Sequence, residues 1–412
     1  MVSRRRLSFS LPLFVFALAI PCALVISAQT ARAQSYSVLH TFTYNDGAYP
    51  TSTLVQDRAG NFYGTAENGG PGGGVLFQLK RAGSGWILRP LHGFAPVSSG
   101  TEPLNYGGLT FGPDGTLYGT AYSGGLLECG EGQTYCGVAF RLQPPPTACT
   151  SALCPWYYTV IYQFTSLTDI GGPRASLVFD ASGQIYSTGL YGTIYQLSPS
   201  GGSWNESAIY QLPVEDYTNA GLIKDSAGNL YGTWWSYDNN GGVFELSPSP
   251  SGWTETVLYS FTGGSDGSDP LGGLIFDSAG NLYGSTSSGG TEGGGAVFEL
   301  SPSSSGWTYQ LVCSSRGYTR MSGPQSALTM DSHGNLYGTT YSGGGFGAGE
   351  AFKATRIGNN WSCSDLYDFQ VGSDGFYPIA GVTVDSQGNL YGTTSVGGDS
   401  SRCIADQGCG VV

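Results

Sequence analysis

Asp277-Ser278-Ala279-Gly280-Asn281-Leu282-Tyr283-Gly284-Ser285-Thr286 is one copy of a stretch that recurs through this chain. Related copies occupy 57–65, 180–188, 225–233, 331–339 and 385–393, and a further copy at 112–120 lacks the leading Asp. Their tyrosines are Tyr63, Tyr118, Tyr186, Tyr231, Tyr283, Tyr337 and Tyr391, spaced 55, 68, 45, 52, 54 and 54 residues apart. Self-similarity at a period of this length marks a repeat architecture.

Reading outward from Asp277 predicts one unit. Gly273–Phe276 is a short apolar run. Asp277–Gly280 is a turn, because Asp bonds amides ahead of it and Gly accepts a left-handed backbone. Asn281–Thr286 is a second strand. A glycine-rich loop leads to a third, Ala296–Leu300, and a Ser/Pro/Gly turn at 301–306 leads to a fourth that opens at Trp307. Third strands are expected likewise at Val75–Leu79, Val138–Leu142, Thr193–Leu197, Val243–Leu246 and Glu350–Ala354. Fourth strands open at Trp86, Trp156, Trp204, Trp253 and Trp361. Four short strands in about 54 residues is the content of one propeller blade.

The chain ends complete this pattern. Tyr36–Phe42 reads as a fourth strand with nothing before it, and Gly410-Val411-Val412 as the start of a third strand. The expectation is a seven-bladed, all-β propeller, its C-terminal blade completed by the N-terminal strand, which removes free sheet edges. Val412 stops short of a full third strand, so a chain cut from a longer protein is also expected.

Composition agrees. The 412 residues include 67 Gly and 27 Tyr, and only 11 % are charged. Arg4-Arg5-Arg6, the apolar run Leu7–Ile26 and Ala31-Arg32-Ala33 read as a signal peptide over 1–33, leaving 34–412 as a single domain. That domain holds 12 basic and 29 acidic residues, a net charge of −17. Such a surface repels phosphate backbones and excludes nucleic acid as an expected partner. No later run is long enough to span a bilayer as a helix. The expected product is a secreted or cell-surface monomer, with the periplasm as another destination. Eight Cys remain after the signal, which suits disulfides in an exported protein. Three local pairs are expected: Cys129 with Cys136, Cys149 with Cys154, and Cys403 with Cys409. Cys313 and Cys363 are left over.

The pattern Gly-Leu-x-x-Asp-x-x-Gly-Asn-Leu-Tyr-Gly-Thr, then Gly-Gly, Gly-Val-Phe-Glu-Leu-Ser-Pro and Gly-Trp, resembles the GloVer tandem repeat over nearly all of 36–412. The match is tightest from Leu222 to Glu299. The resemblance implies an exported bacterial repeat protein, of a kind that carries varied C-terminal surface anchors, and implies no defined chemistry. No anchor segment follows the last repeat, which points to plain secretion or, again, truncation. The hairpin is also similar to repeats of propeller lactonases and lyases.

Candidate sites belong on the face formed by the strand 2–3 loops and the links between blades, because ligand-binding loops need variety on a rigid scaffold. The opposite face, with its Asp-x-x-Gly turns, is monotonous. Its aspartates read as caps of their own loops. His40 and His92 stand where other fourth strands carry Tyr, so they read as packing residues. No nucleophile elbow or zinc-helix motif is present. Asp46, Asp266 and Asp374 share an Asp-Gly turn before Pro50, Pro270 and Pro378; they could hold Ca²⁺, which takes oxygen ligands, or serve only the turn. No other cofactor is expected. The outlier is Trp234-Trp235, where other repeats carry small polar residues, followed by Tyr237, Asp238, Asn239 and Asn240. Exposed aromatics beside Asp and Asn suit sugar stacking and hydroxyl recognition; the alternative is that the two rings fill space beside the short third unit. The leading expectation is a binding module for an extracellular glycan or envelope component. A lyase or lactonase-type hydrolase using channel-mouth carboxylates is the alternative.

Overall fold

In the structure, a computed structural model, the described residues are 34–94, 102–103, 108–123, 125, 136–145, 156–165, 172–189, 191–213, 215–316, 323–403 and 407–412. For residues 102, 103, 123, 316 and 402 only the backbone is described. Residues Tyr36–Val412 form one unit, and it is an all-β propeller. Six antiparallel sheets of four or five strands follow one another, with a two-stranded sheet after them. The blade centred on the Asp277 hairpin runs Ile275–Phe276, Leu282–Thr286, Gly293–Ser303 and Gly306–Arg316, each strand pairing with the next. The other five repeat this order.

The third strands reach further than their apolar patterns suggest. Pro302 pairs with Trp307 and Ser303 with Gly306, so the Ser-Pro segment is strand and the turn shrinks to Ser304-Ser305. A proline is tolerated there because the second strand has already ended, and no ladder partner asks for its missing N–H. In the fifth blade the register of the third and fourth strands shifts between Val297 and Phe298; the other five sheets shift at the corresponding place. A bulge repeated in this way adds twist to each blade.

The hairpin consensus is explained by one carboxylate. Asp277 Oδ1 accepts from the amides of Ala279 (2.8 Å) and Asn281 (2.9 Å), and Oδ2 accepts from Asn281 Nδ2 (2.7 Å) and the Tyr283 hydroxyl (3.1 Å). Asp57, Asp331 and Asp385 make the same four bonds. In the copy that lacks the leading Asp, Asp114 takes over from two positions along. It binds the Thr116 amide and hydroxyl and reaches the Tyr118 hydroxyl at 3.4 Å. The glycine after the tyrosine is set by packing. A Cβ on Gly284 would stand 2.5 Å from Phe298 Cζ and 2.8 Å from Leu274, and Gly64, Gly119, Gly232 and Gly338 face the same Phe–Leu pair in their blades.

Blades are joined by the same repeated residues. The hairpin tyrosine of one blade meets the tryptophan that opens the fourth strand of the next: Tyr63 with Trp156, Tyr186 with Trp253, Tyr231 with Trp307 and Tyr283 with Trp361, at ring separations of 5.6–6.5 Å. The hydroxyls of Thr188, Thr233 and Thr339 donate to backbone carbonyls of Ala220, Gly272 and Ala380 in the following unit.

The two-stranded sheet, Thr383–Val384 with Leu390–Tyr391, sits against the first blade. Tyr391 packs on Phe62 and Trp86, and Thr383 donates to the Leu54 carbonyl. Val411 bridges Thr394 on one side and Thr41 on the other. His40 meets Phe42 edge-on at 5.1 Å, as Tyr259 meets Phe261 at 5.2 Å.

Two disulfides are defined. Cys313–Cys363 links the fourth strands of the fifth and sixth blades, and Cys403–Cys409 closes a short loop. Cys136 is also disulfide-bonded, while Cys129, Cys149 and Cys154 lie outside the described residues. Among the described residues no helix is long and apolar enough to cross a membrane.

Candidate functional site

Trp234 and Trp235 end the second strand of the fourth blade, Leu230–Ser236. They are not exposed: Trp234 is 7 % and Trp235 8 % accessible. The expectation of an open Trp–Trp surface is corrected on this point. The third strand starts at Gly242, directly opposite Trp234, and a Cβ there would run into the Trp234 ring. The missing side chain lets the ring turn inward. It joins a core with Ile194 and Leu212, so it fills space beside the short third blade. Trp235 lies over Tyr217 at 4.8 Å, nearly parallel. Tyr341, four residues after the sixth-blade hairpin tyrosine as Trp235 is in the fourth, stacks on Tyr377 of the following link at 4.7 Å.

Tyr237 is the exposed ring, at 70 % accessibility. It stands edge-on to Trp235 at 5.0 Å and to Tyr217 at 5.6 Å. Beside it a cleft of about 460 Å³ opens between the fourth and fifth blades. Tyr237, Asp238, Asn239 and Asn240 form one wall; Ser268, Ser288, Gly289 and Gly293 form the other. These are strand 2–3 loops and a link between blades. The loop is braced from within. Asn239 Oδ1 accepts from the Gly241 amide at 2.8 Å, and the Asn240 carbonyl accepts from the Asp269 amide at 3.0 Å.

The electrostatics of this wall are acidic. Glu215 shares a hydrogen bond with Asp238, and that bond, then the charge of the Asp238 carboxylate, pushes the Glu215 carboxyl above the usual range. A neighbouring negative charge disfavours the ionised form of a carboxyl. Asp216 is raised by burial, against hydrogen bonds with Asn239 and Ser236 that favour its charged form. No lining residue is basic. Sequence reasoning missed Glu215. Its signal is tertiary: the segment 215–217 reaches this loop only because Asp216–Tyr217 pairs with Trp235–Ser236.

Asp46, Asp266 and Asp374 occupy three separate turns, each engaged by its own loop. Asp266 accepts from the Thr262 amide (2.9 Å), the Thr262 hydroxyl (2.5 Å) and the Tyr259 hydroxyl (3.0 Å). Burial pushes it up, but these bonds outweigh burial and hold it below the usual carboxylate range. Asp46 binds the Thr43 amide and hydroxyl and lies 3.2 Å from His40 Nε2. Asp374 accepts from Tyr367 (2.9 Å) and the Gln370 amide (3.0 Å). Among the described residues no three His, Cys, Asp or Glu side chains gather as a metal-holding group.

The remaining titratable outliers are explained by packing. His92 stacks on Tyr158 at 3.9 Å, and burial lowers it to about 4, so it stays neutral. Glu350 faces Asp368 across the sixth blade; burial first, then Asp365 and Asp368, push it up to about 7. Lys224 turns back to the Asp225 carbonyl at 3.2 Å.

The repeat model of the Gloeobacter/Verrucomicrobia repeat matches residues 25–190 and 187–405. The chain belongs to that family. No curated protein matches it in sequence. Solved structures similar to this repeat-family chain share low sequence identity with it. A protein of unknown function from Dyadobacter fermentans is 11 % identical, with a TM-score of 0.44 over 79 % of this chain and 95 % of its own. A structure from Bacteroides uniformis, described as a proposed 6-phosphogluconolactonase, is 16 % identical, with a TM-score of 0.43 over 76 % and 83 %. One from Thermus thermophilus, described as a proposed oxidoreductase (glucose dehydrogenase), is 16 % identical, with a TM-score of 0.42 over 73 % and 94 %.

Proposed function

We propose that this chain is an exported seven-bladed propeller whose cleft between the fourth and fifth blades binds an extracellular carbohydrate. Tyr237 carries the reading: an exposed aromatic ring held edge-on by Trp235, at the rim of a cleft lined by Asp238, Asn239 and Asn240. A sugar ring stacks its apolar C–H face on such a platform while its hydroxyls meet carboxylate and amide groups. Export is supported by the basic and apolar run of residues 4–26 and by the disulfides, which persist in oxidising compartments. The seventh blade is supported by the bridges of Val411 to Thr394 and Thr41. The enzymatic alternative rests on Asp46, Asp266 and Asp374; each already serves its own turn, so binding is favoured over catalysis, and the reading needs no metal.

Glycan-array and polysaccharide pull-down experiments on the purified chain, beside Tyr237→Ala, test this. Tyr237→Ala leaves the fold intact, because its ring is largely solvent-exposed, and weakens glycan binding about tenfold or more. Binding unchanged in the variant moves the site off this cleft. An absence of binding to every glycan overturns the carbohydrate reading.

A further inference from the structure

The aromatic surface beside the cleft does not end at Tyr237. The half-buried ring of Tyr217, 5.6 Å from Tyr237, also meets Tyr191 of the third blade at 6.0 Å. Tyr191 is 51 % accessible, so a second exposed ring stands no more than two ring-to-ring steps from the first. Its place is fixed by the backbone. The second and third strands of its blade, Ile185–Thr188 and Thr193–Ser200, are joined by a tight turn, in which the Gly189 amide donates to the Thr193 carbonyl at 2.8 Å. Gln211 Nε2 donates to the Tyr191 carbonyl at 2.7 Å. The Thr218 hydroxyl donates to the Gly189 carbonyl at 2.6 Å and ties the turn to the link that carries Tyr217. A Cβ on Gly192 would stand 2.6 Å from the Asp216 carbonyl oxygen, so only glycine lets turn and link approach this closely. Two exposed rings are thus held on braced loops of two blades, with Tyr217 touching both.

We infer that the carbohydrate site is a track that runs from the cleft past Tyr217 to Tyr191 and holds several consecutive sugars of a neutral, linear glycan. This rests on the reading of the cleft as a carbohydrate site. Each ring-to-ring step is close to the length of one pyranose unit along a glycan chain, so a short run of linked sugars reaches from Tyr237 to Tyr191. Each exposed ring offers a face to the C–H side of a sugar. Once one unit is seated on Tyr237, the next contact is made within the same molecule, so the second platform multiplies the affinity of the first. The braced turns have little freedom left to lose on binding. The chain carries −13, and a field of that sign repels an anionic polysaccharide, which leaves neutral chains as the class that fits.

The test is isothermal titration of the purified chain with length series, from dimer to hexamer, of malto-, laminari-, xylo- and manno-oligosaccharides. In the series that binds, affinity rises about tenfold or more from the shortest binding probe to the length that spans both rings, and then levels off. Tyr191→Ala weakens the long probes about fivefold or more and leaves the shortest binding probe unchanged, which flattens the series. Tyr191→Phe keeps the ring and restores the length dependence. Tyr157→Ala, an exposed ring on the outer strand of the second blade, changes nothing. Affinity that does not grow with length overturns the track and leaves the carbohydrate reading of the cleft standing. Length dependence that survives Tyr191→Ala in folded protein overturns the placing of the far subsite on the third blade. Binding of none of the probes to folded protein overturns the inference, and the glycan array decides whether the carbohydrate reading falls with it.

Discussion

The fourth and fifth blades are neighbours with the same hairpin and different upper loops. In the fifth, Thr286 stands opposite Ala296, accepts from the Ala296 amide at 2.9 Å and donates to the Ser288 carbonyl. In the fourth, Trp234 stands opposite Gly242, and Tyr237 is left in solvent. At the hairpin end the two agree: Asp225 and Asp277 both bind the Asn four residues on and the Tyr six residues on. The repeated groups are thus consumed by bonds within their own unit. Of the groups that break the repeat, Trp234 is taken into the core and Trp235 stacks on Tyr217, while Tyr237, Asp238 and Asn239 line the cleft.

The comparison predicts the largest effect at the hairpin. Asp277→Ala removes four bonds around a partly buried loop and costs about 2–3 kcal/mol in urea denaturation. A loss below about 0.5 kcal/mol would break the contrast between the two ends of the blade. Next is the swap itself. Gly242→Ala drives a Cβ against the Trp234 ring and against the Tyr259 carbonyl oxygen, and costs about 1–3 kcal/mol. Adding Trp234→Thr recreates the fifth-blade pair and recovers the part of that loss due to the ring, as a double-mutant cycle would show. No recovery would mean that backbone, not the ring, limits the site.

A pH titration sharpens the contrast further. Burial raises Asp277, but hydrogen bonds from Asn281, Ala279 and Tyr283 outweigh it and hold the carboxyl below its ordinary value of 3.8. Its stabilisation is therefore present above that value and fades as pH falls through the lowered one. Asp216 is shifted the other way, so its contribution is present below 3.8 and is lost as pH rises through the raised value. Chemical denaturation across about pH 2–6 should show Asp277→Asn flattening the acid limb and Asp216→Asn steepening it. The same sign for both would contradict the environments described. Smallest is the stability effect of Asp238→Asn, within about 0.5 kcal/mol, since it removes no packing. A larger loss by thermal melting would make that residue part of the scaffold rather than of a ligand surface.

The repeat was legible in the sequence because a closed ring of like units asks each copy for the same local chemistry. An Asp to hold the turn, a Tyr to reach it and a Gly under a Phe ring are local demands, so they recur at fixed spacing. The position of His40 and His92 beside their phenylalanines was legible for the same reason. The orientation of Trp234 and Trp235 was not. Two tryptophans in a row signal a departure, but whether they face solvent depends on Gly242 across the ladder and on the short blade behind them. Glu215 lies more than twenty residues from Asp238 and carries no motif; only the pairing of Asp216–Tyr217 with Trp235–Ser236 brings the two carboxyls together. The sequence by itself determined the blade, its turns and its joints, because those depend on neighbours in the chain and on periodicity. The tertiary structure alone decided which aromatic is exposed and which acids meet, because those depend on what the adjoining strand and the adjoining blade leave room for.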